Sequence, residues 1–229
     1  MANIKNLFKS YQENASLMPL ISMCEKFVAL LNKHLFNGEL PNVTVTIQPD
    51  SRGTKTKSLG WMSTDKVWNN ANTNEKFYEV NLTASSLEGE GLVDIVTVLA
   101  HELVHVYNAI HGIKDTSSNG HFHNTKFKDG CESHGIICEK TDKYGWSSTA
   151  LNSKTLEFVN KNITEQDQNA VALFRSQQAR KVKNTRKLFV YQCPCCGVKV
   201  RSSKEVQISC TPCGENFELV DSPNMKDDQ

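Results

Sequence analysis

The segment Leu92–Ile110 constrains the fold more than any other part of the chain. It reads LVDIVTVLAHELVHVYNAI, contains no proline or glycine, and is followed closely by Gly112. Apolar residues recur along it at three- and four-residue spacing, which predicts an amphipathic helix that ends at the glycine. His101 and His105 fall on nearly the opposite face of that helix. We therefore expect one face to pack in the core and the other to present two imidazoles.

The two histidines belong to a His-Glu-x-x-His motif, HELVH, at residues 101–105. Histidines four residues apart lie one helical turn above each other, so His101 and His105 can share one metal ion. Glu102 flanks the pair and can take a proton from a water on the metal without being a ligand itself. This is the zincin arrangement for metal-assisted hydrolysis, and it predicts Glu102 as the catalytic residue.

A catalytic zinc ion takes three protein ligands and keeps one position for water, so a third ligand must follow His105. His111 would complete a pattern close to the metzincin spacing, but a continuous helix places it about 240° around the axis from His105. Metzincins also place a methionine turn under the metal, and no methionine lies between Met62 and Met225. The other candidates are Glu132, which would make a gluzincin-type site, His134, and the two histidines of the segment GHFHNTKF, His121 and His123.

A second metal site is predicted by the cysteines, of which the chain has eight. Two CxxC pairs, each followed by glycine, are typical of a zinc ribbon with a closed four-thiolate site. The expected ligands of this structural zinc are Cys193, Cys196, Cys210 and Cys213, with Cys195 as either a spare thiol or an alternative ligand. Between the pairs, short strands are expected over Val198–Arg201 and Val206–Ile208. Clustered CxxC pairs without a secretory signal predict a reducing compartment, the cytoplasm, or the nucleus in a eukaryotic host.

The remaining pattern predicts an α+β fold, a zincin-like domain with a C-terminal zinc ribbon. We expect helices over 15–36, 123–138 and 153–161 and strands near 43–47, 59–62 and 78–82. The predicted organisation is a metalloprotease domain over 1–162, a basic linker over 163–187, the ribbon over 188–220 and a disordered tail over 221–229. No apolar run is judged long enough for the roughly 18 residues of a membrane span. We expect a monomer without a membrane segment.

Charge is distributed unevenly, although the net charge is only +1. The stretch from Arg175 to Lys204 is rich in Lys and Arg and contains no Asp or Glu. Such a run attracts phosphate, and aromatic side chains beside it can stack on unpaired bases, which favours single-stranded DNA as a partner. The candidate nucleic-acid-binding residues are Arg180, Lys181, Lys183, Arg186, Lys187, Tyr191, Lys199 and Arg201.

With these motifs, the chain resembles the SprT-like metalloproteases, the family that includes Spartan, the DNA–protein crosslink protease. The resemblance spans roughly residues 15–160 and the cysteine cluster, and includes the segments LLNKHLFNGELP, LGWMS and YEVNLTASSL. It implies a third ligand from a Gly-His or His-Gly segment, followed four residues later by an aromatic residue. His123 and Phe127 match that spacing, whereas Gly120-His121 matches the Gly-His step. We favour His123, because it would share a helical face with Phe127 and Cys131, and keep His121 as the alternative.

Two functions follow from different readings of these sites. The first is a zinc-dependent endopeptidase acting on proteins on or near DNA, as in DNA–protein crosslink repair, with one catalytic and one structural zinc. The alternative is a nucleic-acid-binding or regulatory protein whose metal site is structural or weakly active. Glu102 argues against the alternative, because a structural site has no use for a general base. A metal-dependent hydrolase of another substrate is a third possibility.

Overall fold

The structure is a computed structural model that describes residues 16–49, 58–84, 87–117, 120–173, 175 and 188–222. The chain divides into two compact units, Met1–Gln177 and Gln178–Gln229. The described part of the first unit mixes helices with two small sheets, and that of the second is a single small sheet beside a cysteine cluster. The predicted α+β class is confirmed at this level.

The first unit has five described helices and eight described strands. The helices are α1 (Met18–Leu35), α2 (Leu92–Ile110), α3 (Thr125–Ser133), α4 (Ser153–Asn162) and α5 (Glu165–Ala170). The strands are β1 (Val43–Gln48), β2 (Gly60–Met62), β3 (Trp68–Asn69), β4 (Lys76–Thr83), β5 (Thr116–Ser117), β6 (Phe122–His123), β7 (Ile136–Thr141) and β8 (Gly145–Leu151). The predicted histidine helix is confirmed, and Gly112 follows it in the left-handed conformation at φ 67°.

The first four-stranded sheet has the order β1-β4-β2, with β1 parallel and β2 antiparallel to β4, and β3 also pairs with β4. Side chains alternate along β4, so Val80 and Leu82 share one face and join the core with α1 and α2. Helix α2 packs against β2, β4 and β8 and against α3. Its apolar face is held by Leu99 and Leu103, both fully buried. The opposite face of α2 carries His101 and His105, which line a cleft.

The predicted helix over 123–138 is wrong at both ends. Asn124 is the N-cap of α3: its Oδ1 accepts from the N–H of Lys126 at 2.8 Å and of Phe127 at 3.4 Å. His123 precedes this cap and therefore lies in strand β6. At the other end, Gly135 at φ 73° ends the helix, and Cys138 lies in β7, not in a helix. Strand β5 lies between α2 and α3 and was also not among the predicted strands.

Strands β7 and β8 form a hairpin that the sequence did not predict. The second four-stranded sheet has the order β5-β6-β8-β7, in which β7 and β8 are antiparallel. The single ladder pair between β6 and β8 joins His123 to Gly145. This sheet therefore brings the segment after α2 back across the histidine face of that helix.

The first unit continues past the boundary predicted at residue 162. Helix α5 contributes Ala170 to the core, and its Asp167 lies 2.5 Å from the Nζ of Lys26 on α1. Lys26 also donates to the carbonyl of Asn162 at 2.8 Å. The first part of the predicted linker thus belongs to the folded domain, because Asp167 and Ala170 of α5 are buried against it. The composition of this segment does not indicate that burial.

Helix α2 is long and apolar enough, by length and composition, to cross a membrane. This differs from the expectation that no segment would reach that length. Buried helices of soluble proteins pass the same test, and half of this helix is buried within the chain.

The second unit is a three-stranded antiparallel sheet with the order β10-β9-β11. Its strands are β9 (Phe189–Gln192), β10 (Lys199–Ser202) and β11 (Glu218–Asp221). A strand close to the predicted 198–201 is present, but the strand expected over 206–208 is not formed. There the N–H of Val206 donates to the side-chain hydroxyl of Tyr191 at 2.9 Å and not to the backbone of a neighbouring strand. The predicted tail begins inside β11, and its residues 223–229 lie outside the described part.

Candidate metal centres

Three histidines converge on one point from two different elements. Helix α2 supplies His101 and His105, and strand β6 supplies His123. The Nε2 of His123 lies 3.2 Å from the Nε2 of His101 and 3.1 Å from that of His105. The three residues form a group that could hold a metal ion.

The spacing of these nitrogens fits zinc. Two nitrogens bound at about 2.05 Å to a tetrahedral zinc ion are about 3.3 Å apart, close to the spacing in the structure. Larger oxygen-seeking cations, such as calcium, bind at about 2.3–2.6 Å and favour carboxylate and carbonyl ligands. The donor set and the spacing therefore both favour a transition metal.

The outer nitrogen of each ring has its own partner. His105 Nδ1 donates to Asp115 Oδ2 at 2.7 Å, and His123 Nδ1 donates to the carbonyl of Tyr144 at 3.3 Å. His101 Nδ1 lies 3.2 Å from the hydroxyl of Thr149. Such partners fix the orientation of a ligand ring and leave its Nε2 lone pair for the metal.

The protonation of the site suits metal binding. Burial, and then the charges of His105 and His123, lower the pKa of His101 well below its usual value. Burial, and then the charge of His105, lower the pKa of His123 to about 4. Although burial raises the pKa of Asp115, the hydrogen bond from His105 and its charge hold it below the ordinary value, helped by Asn108. At neutral pH His101 and His123 are thus neutral and Asp115 is ionised.

Phe127 contacts the rings of all three histidines at once. Its ring centroid lies 4.6 Å from that of His101, 4.4 Å from that of His105 and 4.6 Å from that of His123. Phe127 is fully buried at the start of α3. It supports His123 across the boundary between a strand and a helix, and not along one helical face as the sequence suggested.

Glu102 lies on the same helix and lines the same cleft as the three histidines. The cleft has a volume of about 700 Å³, and Glu102 is 4% exposed at its wall. Gly60 of β2 makes room for it: a Cβ there would lie 3.1 Å from Glu102 Oε1 and 2.8 Å from Val98 Cγ1. The glycine of the LGWMS segment therefore permits β2 to pass directly beside the candidate base.

The other candidate ligands are not part of the group of three histidines. His111 is exposed and its Nδ1 donates to the carbonyl of Tyr107 at 2.8 Å. Glu132 forms an exposed pair with Lys128 at 3.6 Å, and His134 donates to the carbonyl of Gly130 at 2.7 Å. His121 lines the cleft but is not in the group of three. The structure thus brings His123 to the pair on α2.

The sequence did not predict the residues that contact the outer nitrogens of the three histidines. Asp115 is 8% exposed and accepts at Oδ2 from both His105 and Asn108 Nδ2, the latter at 2.9 Å. Asn108 did carry a signal, because a polar residue three positions after His105 continues the histidine face of α2. Asp115, Thr149 and Tyr144 carried none, since their proximity depends on the unpredicted β5–β6 and β7–β8 pairings.

The second candidate metal site lies in the second unit. Cys193, Cys196, Cys210 and Cys213 form a group that could hold a metal ion. The sulfurs of Cys196 and Cys210 are 3.7 Å apart, and two thiolates bound to tetrahedral zinc at about 2.3 Å are about 3.8 Å apart. The glycines after the two pairs, Gly197 and Gly214, both have φ 71°.

Hydrogen bonds favour the thiolate form of one cysteine in this cluster, Cys196. A hydrogen bond from the backbone of Val198, followed by those from Cys193 and Cys213, lowers the pKa of Cys196 to about 7. The pKa values of the other two that shift are raised, that of Cys210 by burial and that of Cys213 by its hydrogen bond with Cys196. A thiolate is the form of cysteine that binds metal. Cys195 is exposed and lies outside the group of four.

The candidate nucleic-acid residues are only partly described. Arg180, Lys181, Lys183, Arg186 and Lys187 lie outside the described residues, whereas Lys199 and Arg201 are exposed on β10. Tyr191 is 4% exposed, so its inclusion as a base-stacking residue is wrong: its ring fills the core of the small sheet.

Acidic residues share the face of the sheet that carries Lys199 and Arg201. Lys199 and Glu218 both pair with Gln192 of the central strand, and Arg201 and Asp221 both pair with Val190. Residues directly opposite each other point to the same face. The net basic charge expected between Arg175 and Lys204 therefore comes mainly from the sequence up to Lys187 and less from the sheet.

Comparisons of the chain with protein-family models, with curated proteins and with solved structures find no significant match.

Proposed function

We propose that this chain is a zinc-dependent endopeptidase of SprT-like type, with a zincin-like fold. One observation carries the proposal: three histidine Nε2 atoms converge at the spacing of a zinc site, and Glu102 lines the same cleft. The ligands are His101, His105 and His123. A structural site would be served by the ligands alone, whereas this one adds a carboxylate and an open cleft.

The chain's own residues then supply the chemistry around the metal. Zinc held by the three histidines would polarise a substrate carbonyl and lower the pKa of a water ligand to about 7. Glu102 accepts the proton of the attacking water and passes it to the leaving amine, as a general base that becomes a general acid. Asp115 holds His105 in the tautomer that presents Nε2.

A peptide is favoured as substrate because a strand edge borders the cleft. Among the described strands, β2 pairs with β4 on one side only. The carbonyl of Leu59 and the N–H of Ser63 bond to β4, so by alternation the backbone of Met62 points away from it. Such an edge can pair with an extended polypeptide, which an ester or a small amide does not require.

The four cysteines hold a second, structural zinc in this proposal, so the chain carries one catalytic and one structural ion. Contact with single-stranded DNA is proposed on the sequence between Arg175 and Lys187, and on the exposed Lys199 and Arg201. Placement on or near DNA follows from that contact and from the SprT resemblance.

Proteolysis by wild type and by Glu102→Gln tests the proposal. Each is incubated with an unfolded basic protein, with and without single-stranded DNA, and the fragments are read by mass spectrometry. Glu102→Gln should keep its zinc content and lose cleavage by several orders of magnitude. Glu132→Gln, an exposed glutamate on α3, is the matched control and should cleave like wild type. Near-normal cleavage by Glu102→Gln would exclude the mechanism.

A further inference from the structure

We infer that the turn between β7 and β8 positions the third zinc ligand, with Gly145 and the Tyr144 carbonyl as the positioning groups. The inference rests on the proposed zinc site and adds residues that do not touch the metal. His123 lies on a strand of only two residues, so its position opposite α2 requires support from outside that strand.

One carbonyl oxygen holds both the backbone and the ring of His123. The backbone N–H of His123 donates to the oxygen of Tyr144 at 2.9 Å, and the ring Nδ1 donates to the same oxygen at 3.3 Å. The backbone bond fixes the position of His123 along β8, and the bond from Nδ1 fixes the rotation of the imidazole ring. A shift of the Tyr144 carbonyl would therefore move the ligand and its ring together.

Gly145 allows this close approach. It follows the three-residue turn 142–144 at φ 70°, a left-handed position common after such turns. A Cβ at this position would lie 2.2 Å from the carbonyl oxygen of His123 and 2.8 Å from Cε1 of Phe122. The turn therefore requires a glycine here for its backbone conformation, and the metal site requires one for space.

The space available to His123 makes the second requirement strict. Its Nε2 lies 3.1–3.2 Å from the other two ligand nitrogens, so a small shift of His123 changes the site. A Cβ at residue 145 would need about one ångström more distance from the His123 carbonyl oxygen to reach a van der Waals contact. The contacting atom is backbone, which cannot rotate aside. An alanine at 145 must therefore displace β6 and, with it, the ligand.

Thr141 holds the turn from its other end without reaching His123. Its hydroxyl accepts from the N–H of Tyr144 at 3.2 Å and lies 3.3 Å from the carbonyl of Gly145 and 2.9 Å from the hydroxyl of Ser147. Removing this hydroxyl should loosen the Tyr144 carbonyl with less disturbance than a new Cβ. Thr141→Val and Thr141→Ser thus form a second, milder pair of variants.

The test compares Gly145→Ala with Gly38→Ala in the full chain. Gly38 has φ 78°, and a Cβ added there would meet nothing within 4 Å, so its alanine variant adds similar backbone strain without a clash. Zinc affinity of the histidine site is measured by chelator competition, with the cysteine site and the melting temperature of the metal-free chain as internal references. Gly145→Ala should weaken histidine-site binding at least about 10- to 100-fold, the range for lost ligand support, and Gly38→Ala should leave it unchanged.

Equal zinc affinity in the two folded glycine variants would overturn the inference. If Gly145→Ala does not fold, the threonine pair decides: Thr141→Val should lose affinity and Thr141→Ser should recover it, and unchanged affinity in Thr141→Val would overturn the inference. Absence of zinc from the histidine site of wild type would instead refute the proposed function. The readout is binding, so it does not depend on the peptidase activity.

Discussion

Replacement of Asp115 by alanine should weaken the histidine site without removing a ligand. Asp115 Oδ2 accepts from His105 Nδ1 at 2.7 Å and from Asn108 Nδ2 at 2.9 Å. Loss of a partner of this kind typically lowers metal affinity about 10- to 100-fold, which corresponds to about 1.4–2.7 kcal/mol. Asparagine at 115 keeps an acceptor but loses the charge. Because charge-assisted bonds are about twice as strong as neutral ones, Asp115→Asn should lose roughly half of that free energy.

The alanine variant should also unfold more easily, for a separate reason. Asn108 is 1% exposed, and without Asp115 its amide is left buried without that acceptor. An unsatisfied buried group of this kind costs about 1–3 kcal/mol of unfolding free energy. The double variant Asn108→Ala/Asp115→Ala removes the orphaned donor, so it should recover part of the stability and none of the metal affinity.

Chelator competition at the histidine site and urea unfolding separate these two effects. Asp129→Asn, at an exposed aspartate on α3, removes the same charge away from His105 and should change neither quantity. The reasoning is refuted if Asp115→Ala binds zinc at the histidine site as tightly as wild type. It is also refuted if the double variant recovers affinity together with stability.

Three further outcomes are expected. His123→Ala should weaken zinc binding by more than about 100-fold, beyond the loss typical of supporting residues, while His121→Ala and His111→Ala should not; metal titration of the three variants decides the ligand. Wild type should bind two zinc ions, and Cys210→Ser should lose one of them whereas Cys195→Ser keeps both; a full complement in Cys210→Ser would exclude the cysteine site. Asp167→Ala should lower the unfolding free energy at pH 7 by about 2 kcal/mol, since its carboxylate accepts from Lys26 and caps α5.

The last of these effects has a defined pH dependence. Burial raises the pKa of Asp167, but the hydrogen bonds from Lys26 and Thr164 outweigh it and the net pKa lies below the ordinary value. A lowered folded-state pKa stabilises the fold above the unfolded value of about 3.9 and loses that contribution as the pH falls through the folded value. The difference between wild type and Asp167→Ala in urea unfolding should therefore shrink below about pH 4. A difference that stays constant down to about pH 2 would contradict the ionic origin.

The sequence predicted those parts of the fold that depend on local pattern. The histidine helix was predicted to the residue, because its periodicity and its glycine stop act within a few residues of each other. Helix α3 begins later than predicted because the side chain of Asn124 caps it, and such a cap fixes the start of a helix more strictly than the spacing of Phe127 and Cys131 does. The β7–β8 hairpin was not predicted, although two glycines with positive φ mark it: Gly135 directly before β7 and Gly145 at the start of β8.

The candidate site divides in the same way. The two histidines on α2 and the glutamate between them follow from helical spacing, and the two CxxC pairs follow from short-range spacing. The convergence of His123 depends on a ladder pair with Gly145, 22 positions later, and that of Asp115 on the path of the chain after Gly112. Such contacts are set by tertiary pairing, which no local pattern in this chain records.

The contact of Phe127 with all three ligand rings has a consequence for metal selectivity. Copper(II) outcompetes zinc at most nitrogen sites, and flexible ligands rearrange toward the tetragonal geometry that copper prefers. Here one buried ring restrains three imidazoles, each of which is also held from its outer nitrogen. A change toward tetragonal geometry would require the three imidazoles to move against the close-packed Phe127 ring. Close packing makes such a displacement unfavourable. The same contacts that hold the three nitrogens at a tetrahedral spacing would therefore disfavour the stronger-binding ion.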